Sequence, residues 1–325
     1  MADSKPFAKF KLFQYDPNLA ANVVFAVLFA VLSIWHTVVL IRKRTWYFIP
    51  FVIGTLFETI GYIGRILAAN EAPDFTLGPY IMQSLLILLA PALFAASIYM
   101  ILARLIRLLG AEQYALIRTN WMTKVFVTGD VLSFLAQGAG GGLLAKVKTL
   151  DDQKLGENVI LAGLGIQILF FGFFIVTTVL FHLRITKNPT PLSYSSTTGP
   201  WRRLIIALYL SSILILVRSV FRMIEFGMGF DGVLLSNEGY LLGLDGALMV
   251  LVAVVLLWSH PSKVVRGHVR GEEGLARVEA GNGGVTAEGF QMIPRHMEEE
   301  SGQGRIGGTP ERYDSDSLRA LKGRR

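Results

Sequence analysis

The sequence predicts an all-α polytopic membrane protein with seven transmembrane helices, its N-terminus outside and its C-terminal tail in the cytosol. Three observations lead to this expectation. Of 325 residues, 52% are hydrophobic and only 17% charged, with a mean hydropathy of +0.49, whereas an ordinary soluble domain is roughly a quarter charged. The apolar residues gather into seven runs, each near the ~20 residues that an α-helix needs to cross a hydrocarbon core of ~30 Å. Basic residues crowd into alternate connections between the runs, the asymmetry that marks cytoplasmic loops.

The first run, 19–41, follows a polar segment, 1–18, expected to lie outside the cell. The run is long enough to span, so it serves as the targeting signal without a cleavable leader. Arg42, Lys43 and Arg44 divide it from the second run, 46–68; the others cover 79–103, 121–145, 158–181, 203–224 and 239–259. The connections on one side hold Arg42, Lys43 and Arg44, then Arg104, Arg107 and Arg118, then Arg184, Lys187, Arg202 and Arg203, then Lys263, Arg266 and Arg270. Those on the other side hold Lys5, Lys9 and Lys11, then Lys146, Lys148 and Lys154 beside acids, and no basic residue in 71–78 or 227–238. The membrane domain is thus 19–260, with Trp46, Tyr47, Trp121, Trp201 and Trp258 read as interface anchors. Beyond it the chain turns glycine-rich and mixed in charge. The segment 261–325 is expected to be a disordered cytosolic tail, since such a composition cannot bury enough apolar surface to fold.

The sequence excludes several kinds of chemistry. With no cysteine there is no disulfide framework, thiolate nucleophile or cysteine metal site. No phosphate-binding Gly-x-x-x-x-Gly-Lys-Ser/Thr loop is present, which argues against ATP-driven pumping by this chain. The seventh run has no lysine to hold retinal, and the histidines do not converge as zinc ligands would. His36 lies late in the first run, His182 and His260 at cytoplasmic ends, and His268 and His296 in the tail. No catalytic residue, metal or cofactor is expected, and the protein is read as a non-enzyme. The net charge of +7 is assigned to topology rather than to nucleic-acid binding.

Charges at bilayer depth cost about 2.5–3.5 kcal/mol each on insertion scales, so those retained should face the bundle interior with partners. Glu58, Gly61, Tyr62 and Arg65 in the second run sit at i, i+3, i+4 and i+7, one face over two turns. The sixth run repeats the spacing with Arg218, Phe221, Arg222 and Glu225; the fourth carries Asp130, Ser133 and Gln137; the third adds Gln83 and the seventh Asp245. Two readings stand. Opposite charges can clamp neighbouring helices, Arg218 or Arg222 against Glu58 or Asp245. Alternatively Glu58, Tyr62, Arg65, Gln83, Asp130, Gln137, Arg218, Arg222, Glu225 and Asp245 line a polar, outward-open cavity that meets the headgroup of an amphipathic molecule. Gly138, Gly140, Gly141 and Gly142 in the fourth run allow either close helix approach or an unwound backbone. Pro91 should kink the third helix.

In order and spacing these residues resemble the fungal lipid-translocating exporter family, the RTA-like seven-span proteins. The resemblance covers about residues 15–261. It is carried by Glu58-x-x-Gly61-Tyr62-x-x-Arg65, by Gln83 with Ala90-Pro91-Ala92-x-x-Ala95-Ala96-x-x-Tyr99, and by Asp130-x-x-Ser133-x-x-x-Gln137-x-x-Gly140-Gly141-Gly142. It continues in Gly163, Gln167, Arg218-x-x-Phe221-Arg222-x-x-Glu225, Asp245 and His260-Pro261. It implies a plasma-membrane protein tied to stress or drug resistance, whose partner is a membrane lipid or amphipathic small molecule. Export or flipping of sphingoid bases, sterol-like compounds or porphyrins is the implied activity. The competing readings are a seven-helix receptor or sensor, a regulator of lipid asymmetry without transport of its own, and an intramembrane hydrolase.

The loop charges make the first prediction. A tag placed after Asp3 is expected to be accessible on intact cells and one after Arg325 only after permeabilisation; the reverse pattern would invert the orientation.

Overall fold

The computed structural model describes residues 18–71, 76–144, 150–194, 201–228 and 238–262. Every described residue belongs to one unit, Met1–Val278, and the expectations for 1–17 and for the tail beyond Ser262 fall outside the described residues. All regular structure among the described residues is helical: α1 Leu19–Lys43, α2 Ile49–Asn70, α3 Leu77–Leu108, α4 Thr119–Leu144, α5 Leu150–Lys187, a short α6 Pro191–Tyr194, α7 Trp201–Gly227 and α8 Glu238–Trp258.

Local chemistry sets the ends. Asn18 caps α1 by accepting from the Ala21 amide at 3.1 Å, one of the orphan donors of a first turn. Arg44 closes the helix in the left-handed region with φ 50°, and Arg42 and Lys43 in the last turn complement the negative end of the dipole. A 3₁₀ turn, Trp46–Phe48, leads into α2, whose Pro50 stands in the first turn, where a missing amide costs nothing. Glu71 accepts from the Thr76 amide and hydroxyl at 2.9 and 2.7 Å, which holds its carboxyl below the ordinary range.

Among the described residues six helices, α1, α2, α3, α5, α7 and α8, are long and apolar enough to cross a membrane. The fourth sequence run also forms a helix, α4, of 26 residues, but its glycines, Lys124, Asp130 and Gln137 make it less apolar than the six. Helix α5 extends well beyond 158–181 to 38 residues, starting with Asp151 and Asp152 and ending with Arg184 and Lys187. Those charges sit at the helix ends where the macrodipole favours them. Helix α3 continues through Pro91 as one element.

Helix α2 packs chiefly on α3 and α1, α4 on α5, and α7 on α5 and α8. Val24, Val27, Val31 and Ile34 on α1 and Leu169 and Val176 on α5 remain exposed, apolar faces suited to lipid. The interior is aromatic. Phe48, Phe51 and Phe94 stack in series at 4.6 and 4.4 Å, and Tyr99 packs against Phe126 and Phe174 at 5.2 and 4.6 Å. Trp46, Trp121 and Trp258 project outward at the end of the bundle opposite the start of α1, whereas Trp201 is buried and donates to the Ser193 carbonyl at 3.1 Å.

The glycine run of α4 stays helical to Leu144, so its role is contact rather than unwinding, and only one of its members makes that contact. A Cβ on Gly140 would lie 2.8 Å from the Gly156 carbonyl oxygen and 2.6 Å from Ile160 Cγ1 of α5, while one on Gly138, Gly141 or Gly142 would meet nothing within 4 Å. Gly140→Ala is therefore expected to cost about 1–3 kcal/mol through overpacking. Gly141→Ala should leave thermal unfolding in detergent unchanged or raise its midpoint, since alanine is the better helix former by ~1 kcal/mol. Equal behaviour of the two variants would contradict the packing.

Candidate functional site

Polar side chains collect in two places. The first joins α1, α2, α3, α7 and α8 towards the end of the bundle where α1 begins. At its rim Glu238 accepts three donors: the Asn18 amide at 2.6 Å, Asn22 Nδ2 at 2.9 Å and Arg65 Nη2 at 2.6 Å. Arg65 Nε also donates to Asn22 Oδ1 at 2.9 Å. This clasp ties the start of α1, the last turns of α2 and the start of α8. Gln83 of α3 is buried beside it, its backbone nitrogen 3.2 Å from where a Cβ on Gly64 would stand.

Deeper in, Arg218 of α7 and Asp245 of α8 form an ion pair with both side chains almost wholly buried. Arg218 Nη2 donates besides to the Ile87 carbonyl of α3 at 3.1 Å. Arg222 pairs with Glu225 on its own helix at 2.7 Å. Beside them lies Glu58, 1% exposed, acted on by the charges of Asp245, Arg218 and Arg222. Neither oxygen of its carboxyl has a hydrogen-bond partner among the described residues.

Backbone geometry explains how α8 serves both groups. Glu238 and Asp245 are seven residues apart and would share one face of a regular helix. Residues Leu242–Gly246 form a π-helical turn, which widens the helix and lets Glu238 address Arg65 while Asp245 addresses Arg218. Gly246 completes the fit, because an added Cβ would collide with the Tyr62 hydroxyl and the Phe25 ring. Tyr62 itself is clamped between Phe25 and Phe29, with centroids at 5.2 and 5.6 Å.

The second group lies between α4 and α5. Ser133 donates to the Gly163 carbonyl at 2.8 Å, and Gln137 Nε2 donates to Ser133 Oγ and Gln167 Oε1 at 2.6 and 3.2 Å. Asp130, buried on the same helix, neighbours the Tyr99 hydroxyl of α3. The ten residues singled out by spacing are thus divided. Glu58, Tyr62, Arg65, Gln83, Arg218, Arg222, Glu225 and Asp245 gather at one end, and Asp130 and Gln137 belong to the α4–α5 contact.

Pairing differs from helix-face reasoning. Arg65 shares a face with Glu58 but bonds Glu238, and of the clamps entertained, the one formed is Arg218 with Asp245. Asn22 and Glu238 are the partners of Arg65 that the spacing did not reveal. An asparagine inside the first apolar run, and a lone acid heading the seventh beyond a loop without basic residues, were the available signals. His36 and His260 do approach each other, their rings 6.5 Å apart, with His36 Nε2 donating to the Ala253 carbonyl at 3.1 Å. Among the described residues no group of three or more histidines, aspartates or glutamates could hold a metal ion.

Comparison with known proteins gives the setting of these residues. Residues 51–268 match a family model described as RTA1 like protein. The chain is 37% identical over 277 residues to Protein RTA1 of Saccharomyces cerevisiae, covering 78% of this chain and 85% of that one. It is 36% identical over 280 residues to the Protoporphyrin uptake protein 1 of the same yeast, covering 75% and 90%. It is 27% identical over 282 residues to its Sphingoid long-chain base transporter RSB1, covering 77% and 73%. No solved structure matches the chain.

The buried ion pair yields a stability prediction. Arg218→Gln strips Asp245 of its partner and is expected to cost about 3–5 kcal/mol. The double variant Arg218→Met, Asp245→Leu should recover most of that loss, because apolar residues of similar volume replace a buried pair at little cost. Thermal unfolding of the purified proteins checks this, and a double variant no better than the single would show that the pair is not what holds α7 to α8.

Proposed function

The chain belongs to the RTA1-like family of multi-pass membrane proteins, and on that basis we propose that it exports or flips amphipathic lipids across the plasma membrane and so contributes to resistance to toxic compounds. Sphingoid bases, sterol-like compounds and porphyrin-like compounds are the substrate classes, the first and last because of the names that two relatives carry. One observation carries the reading. Glu58, Arg65, Arg218, Glu225 and Asp245 are each at most 3% exposed and cluster at one end of the bundle, more charge at bilayer depth than helix docking requires.

In this reading α4 is the seventh span. Its 26 residues make about 39 Å of helix, enough for a ~30 Å core, and it packs against α3 and α5 with its polar groups turned inward. Seven spans put the termini on opposite sides, and the basic connections set the N-terminus outside and the tail in the cytosol, with the charged cluster in the outer half of the membrane. A lipid headgroup passes among Glu58, Tyr62, Arg65, Gln83, Arg218, Arg222, Glu225 and Asp245, and Asp130 and Gln137 extend the polar lining, while the apolar body stays against the lipid-facing helices. The chain acts as a carrier rather than an enzyme.

The test is reconstitution of this protein alone in liposomes with labelled sphingoid base, sterol amine or protoporphyrin. At least one class should redistribute between leaflets severalfold faster than in protein-free vesicles; if none does, the protein is a sensor or a regulator of another translocase. Arg222→Lys, which keeps the positive charge that buried Glu225 requires but loses the guanidinium fork, is expected to unfold near the wild-type temperature while lipid movement falls. A stable variant with unchanged movement would remove Arg222 from the pathway.

A further inference from the structure

We propose that Glu58 is an exchange site at which a proton and a substrate cation alternate, so that the proton gradient drives export; the inference rests on the lipid-export reading above. Charge balance in the cluster singles this residue out. Arg65 is matched by Glu238, Arg218 by Asp245 and Arg222 by Glu225. Glu58 is the fourth carboxyl of the cluster, 1% exposed, with neither oxygen hydrogen-bonded among the described residues.

Among the described residues its surroundings have no further cation to offer it. Helix α7 presents Arg218 and Arg222 and α8 presents Asp245. From α3 comes the Ile87 carbonyl, already accepting from Arg218. Helix α1 supplies Phe25 and Phe29 against Tyr62. On α2 itself Tyr62, one turn from Glu58, has a buried hydroxyl that also lacks a hydrogen-bond partner among the described residues. A carboxyl in such a place persists in two forms, as the neutral acid or as a carboxylate beside a cation.

A cationic headgroup entering from the cytosolic side supplies that cation. The Glu58 O–H bond breaks, and the proton passes to cytosolic water. When the headgroup leaves outward, a proton from the outer water forms the O–H bond again, with the Tyr62 hydroxyl placed to relay it. One proton enters for each cation that leaves, so the cycle moves no net charge and needs no redox partner.

The experiment uses the full chain in proteoliposomes and a tail-labelled N,N,N-trimethylsphinganine, a permanent cation that cannot cross as a neutral amine. Its distribution between leaflets is read with an impermeant quencher under an imposed pH difference. In the wild type the probe should accumulate on the acidic side by about tenfold per pH unit, the equilibrium of a one-for-one exchange. Glu58→Gln should abolish this dependence and Glu58→Asp restore it, which separates a lost proton site from a lost fold.

A wild-type distribution indifferent to the pH difference, or a Glu58→Gln protein that keeps the dependence, overturns the proposal and leaves the export reading standing. If the wild type does not move the probe, infrared spectra of the same vesicles decide Glu58, and the export reading is decided separately by the three labelled classes named above. A carboxylic-acid carbonyl band that vanishes in Glu58→Gln and falls when the probe is added supports the exchange site. Identical spectra refute it.

Discussion

An arginine at bilayer depth has no water to turn to, and Arg218, among the largest fully buried side chains of this protein, sets the terms on which the rest of the bundle is arranged. Its charge requires a carboxylate, which Asp245 provides from α8, and its remaining donor capacity reaches the Ile87 carbonyl of α3. Three helices are thereby fixed by one side chain. For Asp245 to reach it, α8 must widen at Leu242–Gly246, and that turn can sit close to α2 only because residue 246 has no side chain to push Tyr62 aside. The stacking of Phe25 and Phe29 on Tyr62 follows from the same approach.

The two polar groups are held by different forces. On the α1, α2, α7 and α8 side the bonds are ionic and join residues far apart in sequence, as Arg65 and Glu238 do. Between α4 and α5 they are amide and hydroxyl contacts, Ser133 to Gly163 and Gln137 to Gln167, backed by the Gly140–Gly156 approach. Removing one member of an ion pair leaves a bare charge, whereas neutral hydrogen bonds between membrane helices contribute on average only about 0.6 kcal/mol. The charged side therefore has fewer alternative arrangements than the amide side.

Much of this was legible in the sequence, and the parts that were not have a common cause. Apolar run length located the seven long helices among the described residues, six of them apolar enough to span, and the i, i+3, i+4, i+7 spacing put Glu58, Tyr62 and Arg65 on one buried face. The family followed from the same residues. Partnership was not legible, because a helical period fixes which face a residue occupies and leaves open which helix lies opposite; hence Arg65 meets Glu238 and not Glu58. The start of α5 was missed since Asp151 and Asp152 look like loop residues until a helix terminus gives them a role. The seventh run read as a uniform helix, since nothing in Leu242–Gly246 distinguishes a π turn from an α turn. Trp201 carried the composition of an interface anchor yet is buried against Ser193, a distinction that depends on where the short α6 folds back.

The widened turn in α8 has a mechanical meaning. It inserts extra phase into the helix, and one residue corresponds to about 100° of rotation. Glu238 is engaged on one side of that turn and Asp245 within it, so the two ion pairs act as pins through a shaft. If the turn were to relax into regular helix, Ala247–Trp258 would rotate against Glu238–Leu241, and both pins could not stay seated. Helix α8 is accordingly a torsional element with its angle set by charge, and whatever loosens either pin changes the angle at which Ala253 meets His36 and at which the chain beyond Trp258 presents His260 to Phe48.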